Sequence, residues 1–347
     1  MTERHDPPGE SRPRAGGQNS GTKQSGSCTS LRSTVVLHTG RQARSTGRRT
    51  REHRNMRRAR QLPPEFDAAV FRTGDALAAG VNSERLRRSD LERPTRGVRA
   101  PAGSDDFVSA IAIVMRDDQH FSHVTAARLW GAPLPRAVQD DRRVHVTTVG
   151  TLRMRRPGVV AHRAVSAEVR VLNGLRLSAP ASAWFECAGV IDRMALVAVG
   201  DHMVGRAGLA TIDDLRRAIR PGSPHAVAAR RAVELVRVGC ESPMETWMRI
   251  AVIEAGFPEP ELNIDVHDAT GAFLGRVDLA WPRLRIALEY DGEHHRERDV
   301  FQHDQRRDNG FVVNDWTVIH ATAADAVRPA VLFERLRQAF VAKGAAL

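Results

Sequence analysis

Residues 277–291 read VDLAWPRLRIALEYD, and this stretch decides the fold of the C-terminal part of the chain. Apolar and polar side chains alternate on both sides of a Pro-Arg pair, a pattern typical of a β-hairpin with a short turn. Pairing Trp281 with Leu284 across that turn sets Glu289 diagonally across from Asp278. We therefore predict an antiparallel hairpin closed by two residues.

This register sorts the side chains of the hairpin onto two faces. The apolar face, predicted to cover the core, holds Val277, Leu279, Ile286 and Leu288. The opposite face is acidic and holds Asp278, Glu289 and Asp291. Carboxylates that share one face repel one another, so the sequence predicts a cation near them.

A divalent ion is the first candidate for that cation, because carboxylate oxygens favour Mg²⁺ or Mn²⁺ over zinc. An ion held by Asp278 and Glu289 would lower the pKa of an attacking water and neutralise the charge that develops in phosphodiester hydrolysis. The alternative is a solvated face whose acids pair with Arg276 and Arg285.

The flanking sequence predicts the rest of a C-terminal domain over residues 241–347. Ser242 and Pro243 begin a helix that ends near Gly256. The later elements are predicted strands at 262–266, 273–281 and 284–291, a helix at 296–311, a strand at 316–320 and a closing helix at 323–342. The predicted order is αβββαβα.

Two motifs of this domain, VDLAWP at 277–282 and ALEYDGEHH at 287–295, resemble the hallmark of the PD-(D/E)XK nuclease superfamily. More specifically, they resemble the Vsr-like domain of unknown function 559, which is related to very-short-patch-repair endonucleases. ESPME at 241–245, and DQRRDN at 304–309 with Trp316 after it, are similar to the same family. The resemblance implies a restriction-endonuclease-like αβββαβ core and cleavage of DNA.

The resemblance also implies roles for the acids. Asp278 takes the position of the metal-binding aspartate, Glu289 that of the acid in the (D/E)XK element, and Glu245 that of the acid on the leading helix. Asp291 departs from the pattern, because the superfamily commonly has Lys there. Of the two lysines in the sequence, Lys23 and Lys343, neither lies near this motif.

Another group must therefore move the proton. We predict that His294 or His295, just past the strand that bears Glu289, does so, because an imidazole titrates near neutral pH. The alternative is that these adjacent histidines are merely exposed on a loop. On the following helix, His303, Asp304 and Arg307 are expected to brace the site. Arg306 and Arg307 are also candidates for contacts with DNA phosphates.

An N-terminal module is predicted over residues 61–106. Residues 75–79 form one short helix and residues 85–88 belong to a second, with residues 91–98 as a small hairpin wing. The stretch 71–98 resembles the winged-helix segment of AbiEi-type antitoxin and regulator proteins, as does SHVTAARLWG at 122–131. The resemblance implies DNA contacts, for which the candidates are Arg85, Arg87 and Arg88; the alternative is a small helical cap with solvated arginines.

The middle of the chain, residues 107–222, shows no catalytic or metal-binding sequence motif. Strands are predicted at 144–147, 158–162 and 169–177, and helices at 122–130, 180–188, 193–204 and 211–219. A connector helix follows within residues 223–240. His123, His145 and His162 lie singly among apolar neighbours, and we interpret them as packed structural residues.

Composition bounds the remaining possibilities. Residues 1–60 hold 14 of the 52 basic residues and 4 of the 41 acidic ones, so the rest of the chain is nearly neutral. This stretch is predicted to be a disordered tail, or an over-called start with Met56 as the true initiator. Cys28, Cys187 and Cys240 have no paired spacing, which argues against a disulfide framework or a CxxC zinc site. The apolar runs are far too short to span a membrane.

We therefore expect an α+β multidomain protein of the cytoplasm that acts on DNA. The favoured function is Mg²⁺- or Mn²⁺-dependent DNA endonuclease activity of a repair or defence type. The alternative is a non-catalytic DNA-binding transcriptional regulator, or an antitoxin-like protein with a protein partner, that retains a degenerate nuclease fold.

Overall fold

The computed structural model describes residues 61–67, 69–292 and 307–345. The chain separates into two units, residues 1–57 and 58–347, and the predicted basic tail at 1–60 lies outside the described residues. The second unit is an α+β structure whose described part contains sheets of three, five and four strands. No helix in this part of the chain has the length and apolar character that crossing a bilayer requires.

The N-terminal segment is small. It contains strand β1 (Phe71–Arg72), helix α1 (Thr73–Ala78) and strands β2 (Leu91–Glu92) and β3 (Val98–Pro101), with sheet order β1-β3-β2. The prediction of a second helix is wrong, because Arg85–Arg87 form a single 3₁₀ turn. The Asn82 side chain accepts a hydrogen bond from the Arg85 backbone N–H (2.8 Å), and Arg88 is already extended. The short connection to β2 leaves no room for further helical turns.

The middle segment contains a five-stranded sheet and its covering helices. The first helices are α2 (Phe107–Ala112), α3 (His123–Leu129) and α4 (Arg136–Gln139). The strands are β4 (Gln119–Phe121), β5 (Val144–Val149), β6 (Val159–Ala164), β7 (Val169–Leu172) and β8 (Leu175–Ser178), in the order β6-β5-β4-β8-β7. The predicted strand at 169–177 is a hairpin, because Asn173 and Gly174 adopt positive φ angles of 50° and 79°. Strand β4 was missed, since three residues show no alternation.

Four helices complete the middle segment and confirm the predicted ones within a few residues. They are α5 (Pro180–Cys187), α6 (Arg193–Val204), α7 (Ile212–Ala218) and α8 (Ala226–Val233). Pro180 stands at the first position of α5, where its missing N–H costs nothing. Trp184 is fully buried among these helices and donates from Nε1 to the Leu196 carbonyl (2.9 Å).

The C-terminal segment begins with α9 (Pro243–Glu254), β9 (Glu261–His267), β10 (Phe273–Trp281) and β11 (Ile286–Tyr290). It continues with helix α10 at 307–313, β12 (Thr317–Ala321), α11 (Ala323–Val327) and α12 (Ala330–Ala342). The sheet order is β12-β11-β10-β9, with β11 and β12 parallel and the other neighbours antiparallel. The described elements follow the predicted order, except that the closing helix is divided before Pro329. Residues 296–306 of the helix predicted at 296–311 lie outside the described part of the chain.

The hairpin of β10 and β11 differs from the predicted register. Trp281 pairs with Ile286 and Leu279 with Leu288, because the turn comprises residues 282–285 rather than two residues. Its last residue, Arg285, adopts a left-handed conformation with φ 51°. The shift is an even number of residues, so the side chains keep their faces, but continuing the register sets Glu289 directly opposite Asp278 rather than diagonally.

The prediction that Val277 shares a face with Leu279 is also wrong. Leu279, Ile286 and Leu288 pack under α9 and α12, whereas Val277 packs with Phe311 of α10 on the other side. The pairing of β10 with β9 skips Asp278, opposite Asn263, which has a positive φ of 49°. The resulting distortion of the strands breaks strict alternation at the candidate metal-binding aspartate.

Helix α9 also joins the C-terminal segment to the middle one. Its Arg249 is fully buried and forms an ion pair with Asp201 of α6 at 2.8 Å. Asp201 also accepts hydrogen bonds from the Thr246 hydroxyl (2.8 Å) and the Arg237 backbone N–H (2.7 Å). This buried polar network fixes α9 against α6, which positions the N-terminal turn of α9.

Candidate functional site

Asp278 lies at the distorted point of β10, next to the last turn of β11. Its Oδ2 accepts a hydrogen bond from the Tyr290 backbone N–H (2.8 Å). The pKa of Asp278 is raised to about 6, chiefly by burial and also by the charges of Glu245 and Glu289, while the Tyr290 hydrogen bond and Arg307 oppose the shift. The register of β10 with β11 sets Glu289 opposite Asp278, and Glu245 accepts a hydrogen bond from Asn263, across from Asp278 on β9, so the structure brings these three predicted acids into one region.

Glu289 is buried and is bound by an arginine. Both of its carboxylate oxygens accept hydrogen bonds from the Arg307 guanidinium, one of them at 3.0 Å, and Arg307 also donates to the Arg276 carbonyl (2.9 Å). Gly275 makes room for this guanidinium, because a Cβ there would come within 2.6 Å of Arg307 Nε. Arg307 thus forms an ion pair with Glu289, the acid that was predicted to bind the metal ion.

Glu245 is buried at the start of α9. Ser242 caps that helix as predicted, accepting a hydrogen bond from the Glu245 backbone N–H (3.2 Å). The Glu245 carboxylate accepts hydrogen bonds from the Glu241 backbone N–H (2.8 Å) and the Asn263 side-chain amide. Two donors therefore hold this carboxylate in a fixed orientation beside Asp278.

Asp291 follows β11 and lies close to a histidine that the sequence did not single out. His320 on β12 is in register with Glu289, and its Nδ1 lies 3.8 Å from Asp291 Oδ2 and 4.0 Å from Glu289 Oε2. Within the described residues, this buried Nδ1 has no hydrogen-bond partner. The sequence did contain a clue to this contact, because residues 316–320 read as a strand. Once that strand pairs with β11, its last residue, His320, lies beside the acids.

Several predicted residues lie outside the described part of the chain. They are His294, His295, His303, Asp304 and Arg306. The alternative pairing of the acids with Arg276 and Arg285 is not what the described residues show. Arg276 instead pairs with Glu241 (2.8 Å) and Asp265 (3.6 Å), and Arg285 donates to the Asn314 carbonyl (3.1 Å).

The predicted DNA-contacting arginines of the N-terminal segment lie around its 3₁₀ turn. Arg85 forms a two-point ion pair with Asp90 (2.7 and 3.1 Å), and its side chain is only 10% exposed. Arg87 is exposed and Arg88 is half-buried. Of the three, Arg87 presents the most side chain to solvent.

The structure brings together three histidines that were interpreted as single packed residues. His123, His145 and His162 each offer a ring nitrogen, and these atoms all lie within 4.8 Å of one another. No other group of three His, Cys, Asp or Glu in the described residues meets this criterion, the acids around Asp278 included. Burial, together with the neighbouring imidazoles, lowers the pKa of His123 to about 2 and that of His145 to about 4.

No model of a known protein family and no solved structure matches the chain. Two relatives are similar to it, both described only as uncharacterized proteins of Mycobacterium tuberculosis, from strains CDC 1551 and H37Rv. Each is 28% identical over 207 residues, which cover 59% of this chain and 74% of the relative.

Proposed function

We propose that the C-terminal segment is a divalent-metal-dependent DNA endonuclease whose ion is Mg²⁺ or Mn²⁺. The observation that carries this proposal is the placement of three acids at one point of the sheet. Glu289 on β11 lies opposite Asp278 on β10, and the Glu245 carboxylate accepts a hydrogen bond from Asn263, across from Asp278 on β9. The pKa of Asp278, raised chiefly by burial, agrees with this placement. Burying acids together is unfavourable, and such perturbed groups are more common at functional sites than elsewhere. The α9-β9-β10-β11-α10-β12 order supports the proposal, because the nuclease superfamily that the motifs resemble has the same αβββαβ order.

The residues present fit such an ion. Asp278 and Glu289 supply hard oxygen ligands, which suit Mg²⁺ and Mn²⁺. When bound, the ion would activate water and neutralise charge on the phosphate. The Glu241 backbone N–H and the Asn263 side-chain amide fix the orientation of the Glu245 carboxylate, which adds negative charge next to Asp278.

The superfamily that the motifs resemble commonly has a lysine where this chain has Asp291, and we assign the roles of that lysine to Arg307 and His320. In the proposed cycle, Arg307 moves from Glu289 to a DNA phosphate, because a guanidinium binds carboxylate and phosphate with the same two-point geometry. His320 Nδ1, close to Glu289 and Asp291, is the described group best placed to accept a proton from water. His294 and His295 remain candidates for the same role.

A cleavage assay tests the proposal. The full-length protein is incubated with supercoiled plasmid, single-stranded DNA and mismatched duplexes in Mg²⁺ or Mn²⁺. The parent is expected to cut at least one of these DNA forms. The variants Asp278→Ala and Glu289→Ala are each expected to lose cleavage rate by roughly a hundredfold or more. Asp265→Asn, which removes an exposed acid from β9, is the matched control and should cut like the parent. Absence of cleavage by the parent, or full activity of Asp278→Ala, would show the proposal to be wrong.

A second candidate is a DNA-binding regulator, and the Arg307–Glu289 pair favours it. This pair neutralises the acid without an ion, and the sequence has no lysine near the motif. A regulator would bind DNA in EDTA with an affinity that falls steeply with salt and that depends on Arg87 and Arg88. An endonuclease would instead be stabilised by Mg²⁺ or Mn²⁺ in a melting experiment, and Glu289→Ala would lose that gain.

A further inference from the structure

The three histidines of the middle segment come from separate elements that meet at one point. His123 is the first residue of α3, while His145 and His162 lie on the parallel neighbours β5 and β6. His162 Nε2 is 3.0 Å from His145 Nδ1, and the rings of His123 and His162 stack at 3.6 Å between centroids. Residues far apart in sequence thus place imidazole nitrogens side by side.

The backbone at His123 supports a specific role for this arrangement. His123 has a φ of 52°, a left-handed conformation that costs a non-glycine residue roughly 1 kcal/mol or more. The preceding Ser122 holds the ring, because its Oγ lies 3.0 Å from His123 Nδ1 and accepts a hydrogen bond from the Thr147 hydroxyl (2.8 Å). Strained backbone held by a buried hydrogen-bond chain is more typical of a built site than of simple packing.

A half-buried carboxylate lies next to His123. Glu186 Oε2 accepts hydrogen bonds from the His123 backbone N–H (2.9 Å) and the Ser178 hydroxyl (2.8 Å), and it is 3.8 Å from His123 Nδ1. Metal-binding histidines commonly have such a carboxylate or hydroxyl partner on the ring nitrogen that does not bind the metal.

The cluster also opens to solvent. A cleft of about 400 Å³ is lined by His123, His162 and Glu186 together with Arg153 and Arg220. His145 is buried behind them. An ion at the cluster would therefore have its histidine ligands on the protein side and a coordination position that water can reach.

We propose that His123, His145 and His162 bind one divalent transition-metal ion of the imidazole-preferring class, with Zn²⁺ as the first candidate. Three neutral imidazoles are a common ligand set for zinc, and they are poor ligands for Mg²⁺. Zn–N bonds of about 2.0 Å in a tetrahedron place ligand nitrogens about 3.3 Å apart, and the 3.0 Å between His162 Nε2 and His145 Nδ1 is close to that spacing. Ion binding would also turn the stacked rings of His123 and His162 against each other, because imidazole lone pairs lie in the ring plane and those of parallel rings do not meet. The site is separate from the acids of the C-terminal segment and uses nitrogen rather than oxygen ligands.

Metal titration of the full-length, tag-free protein tests the proposal. After chelator treatment and dialysis, Zn²⁺ binding is measured by calorimetry, and Co²⁺ is added as a spectroscopic probe of coordination. The parent is expected to bind one Zn²⁺ at this site with sub-micromolar affinity, and Co²⁺ to give the intense visible bands of a four- or five-coordinate site. His162→Gln should weaken this binding roughly a hundredfold or more. His267→Gln, which changes an exposed histidine on β9, is the matched control and should leave it unchanged.

Each outcome is decisive. The proposal is overturned if the parent binds Zn²⁺ only with a Kd above about 10 µM. It is also overturned if His162→Gln binds Zn²⁺ as tightly as the parent, or if His162→Gln and His267→Gln lose the binding equally. In each of these cases the three histidines form a structural stack and not a metal site. Circular dichroism and melting of His162→Gln in chelator separate loss of a ligand from loss of fold. If this variant does not fold, His123→Gln takes its place. Asp278→Asn should retain the Zn²⁺ site, so failure of the nuclease proposal and failure of this one are distinguishable.

Discussion

Replacing Asp278 by Asn should stabilise the metal-free protein, although the same change should abolish the proposed activity. The amide oxygen of Asn can still accept the hydrogen bond from the Tyr290 N–H, so the local geometry is kept. The substitution removes a charge that is half-buried beside Glu245 and Glu289. Residues selected for a function are often unfavourable for stability in this way.

The magnitude follows from the pKa of Asp278. Its ordinary value is 3.8, and burial together with the charges of Glu245 and Glu289 raises it to about 6. This difference corresponds to roughly 3 kcal/mol of destabilisation by the ionised carboxylate. Because the side chain is only half-buried, solvent screens the charge, and we expect about 1–2 kcal/mol. Since the pKa of the folded state is the higher one, the destabilisation is absent below the unfolded-state pKa and complete only above about pH 6.

Urea denaturation in EDTA at several pH values measures this effect. Asp278→Asn should be more stable than the parent by about 1–2 kcal/mol at pH 8, and the difference should shrink toward zero at about pH 4. Asp265→Asn, which removes an exposed charge, should show little change at either pH. The reasoning is refuted if Asp278→Asn is less stable than the parent at pH 8, or if its effect does not depend on pH.

Three further changes test the neighbouring contacts. Arg307→Gln should strengthen Mn²⁺ binding several-fold in calorimetry, because the guanidinium no longer competes for Glu289; weaker binding would contradict this. Asp201→Ala leaves the charge of Arg249 buried without its partner and should lower the free energy of unfolding by about 3–5 kcal/mol, against less than 1 kcal/mol if the pair is dispensable. Gly200→Ala should cost about 1–3 kcal/mol in the same measurement, because its Cβ would come within 2.5 Å of a valine methyl; a neutral effect would mean that α6 shifts freely.

The strongly patterned elements of this protein could be predicted from the sequence. The β10–β11 hairpin alternates over enough residues to define its faces, and the caps at Ser242 and Pro180 define the starts of two helices. The turn was mispredicted because a two-residue and a four-residue connection preserve the same side-chain faces. The second N-terminal helix was mispredicted because a good capping residue, Asn82, does not ensure more than one turn.

The contents of the candidate sites were harder to predict, because they depend on contacts between distant residues. Arg307 reaches Glu289 only because α10 packs over a strand that has Gly275 at the crossing point. His320 joins the acids through the parallel pairing of β12 with β11, which no local pattern specifies. The three histidines meet for the same reason, since β5 and β6 pair in parallel and the turn before α3 brings in His123.

The central claim is that Asp278 and Glu289 share one divalent ion, and Mn²⁺ titration followed by electron paramagnetic resonance tests it most directly. At pH 8 the parent should remove Mn²⁺ from the free signal with a Kd below about 1 mM, and His162→Gln should do the same. Asp278→Asn and Glu289→Gln should each lose this binding. Equal Mn²⁺ binding by the parent and both acid variants, or none by the parent, would contradict the claim.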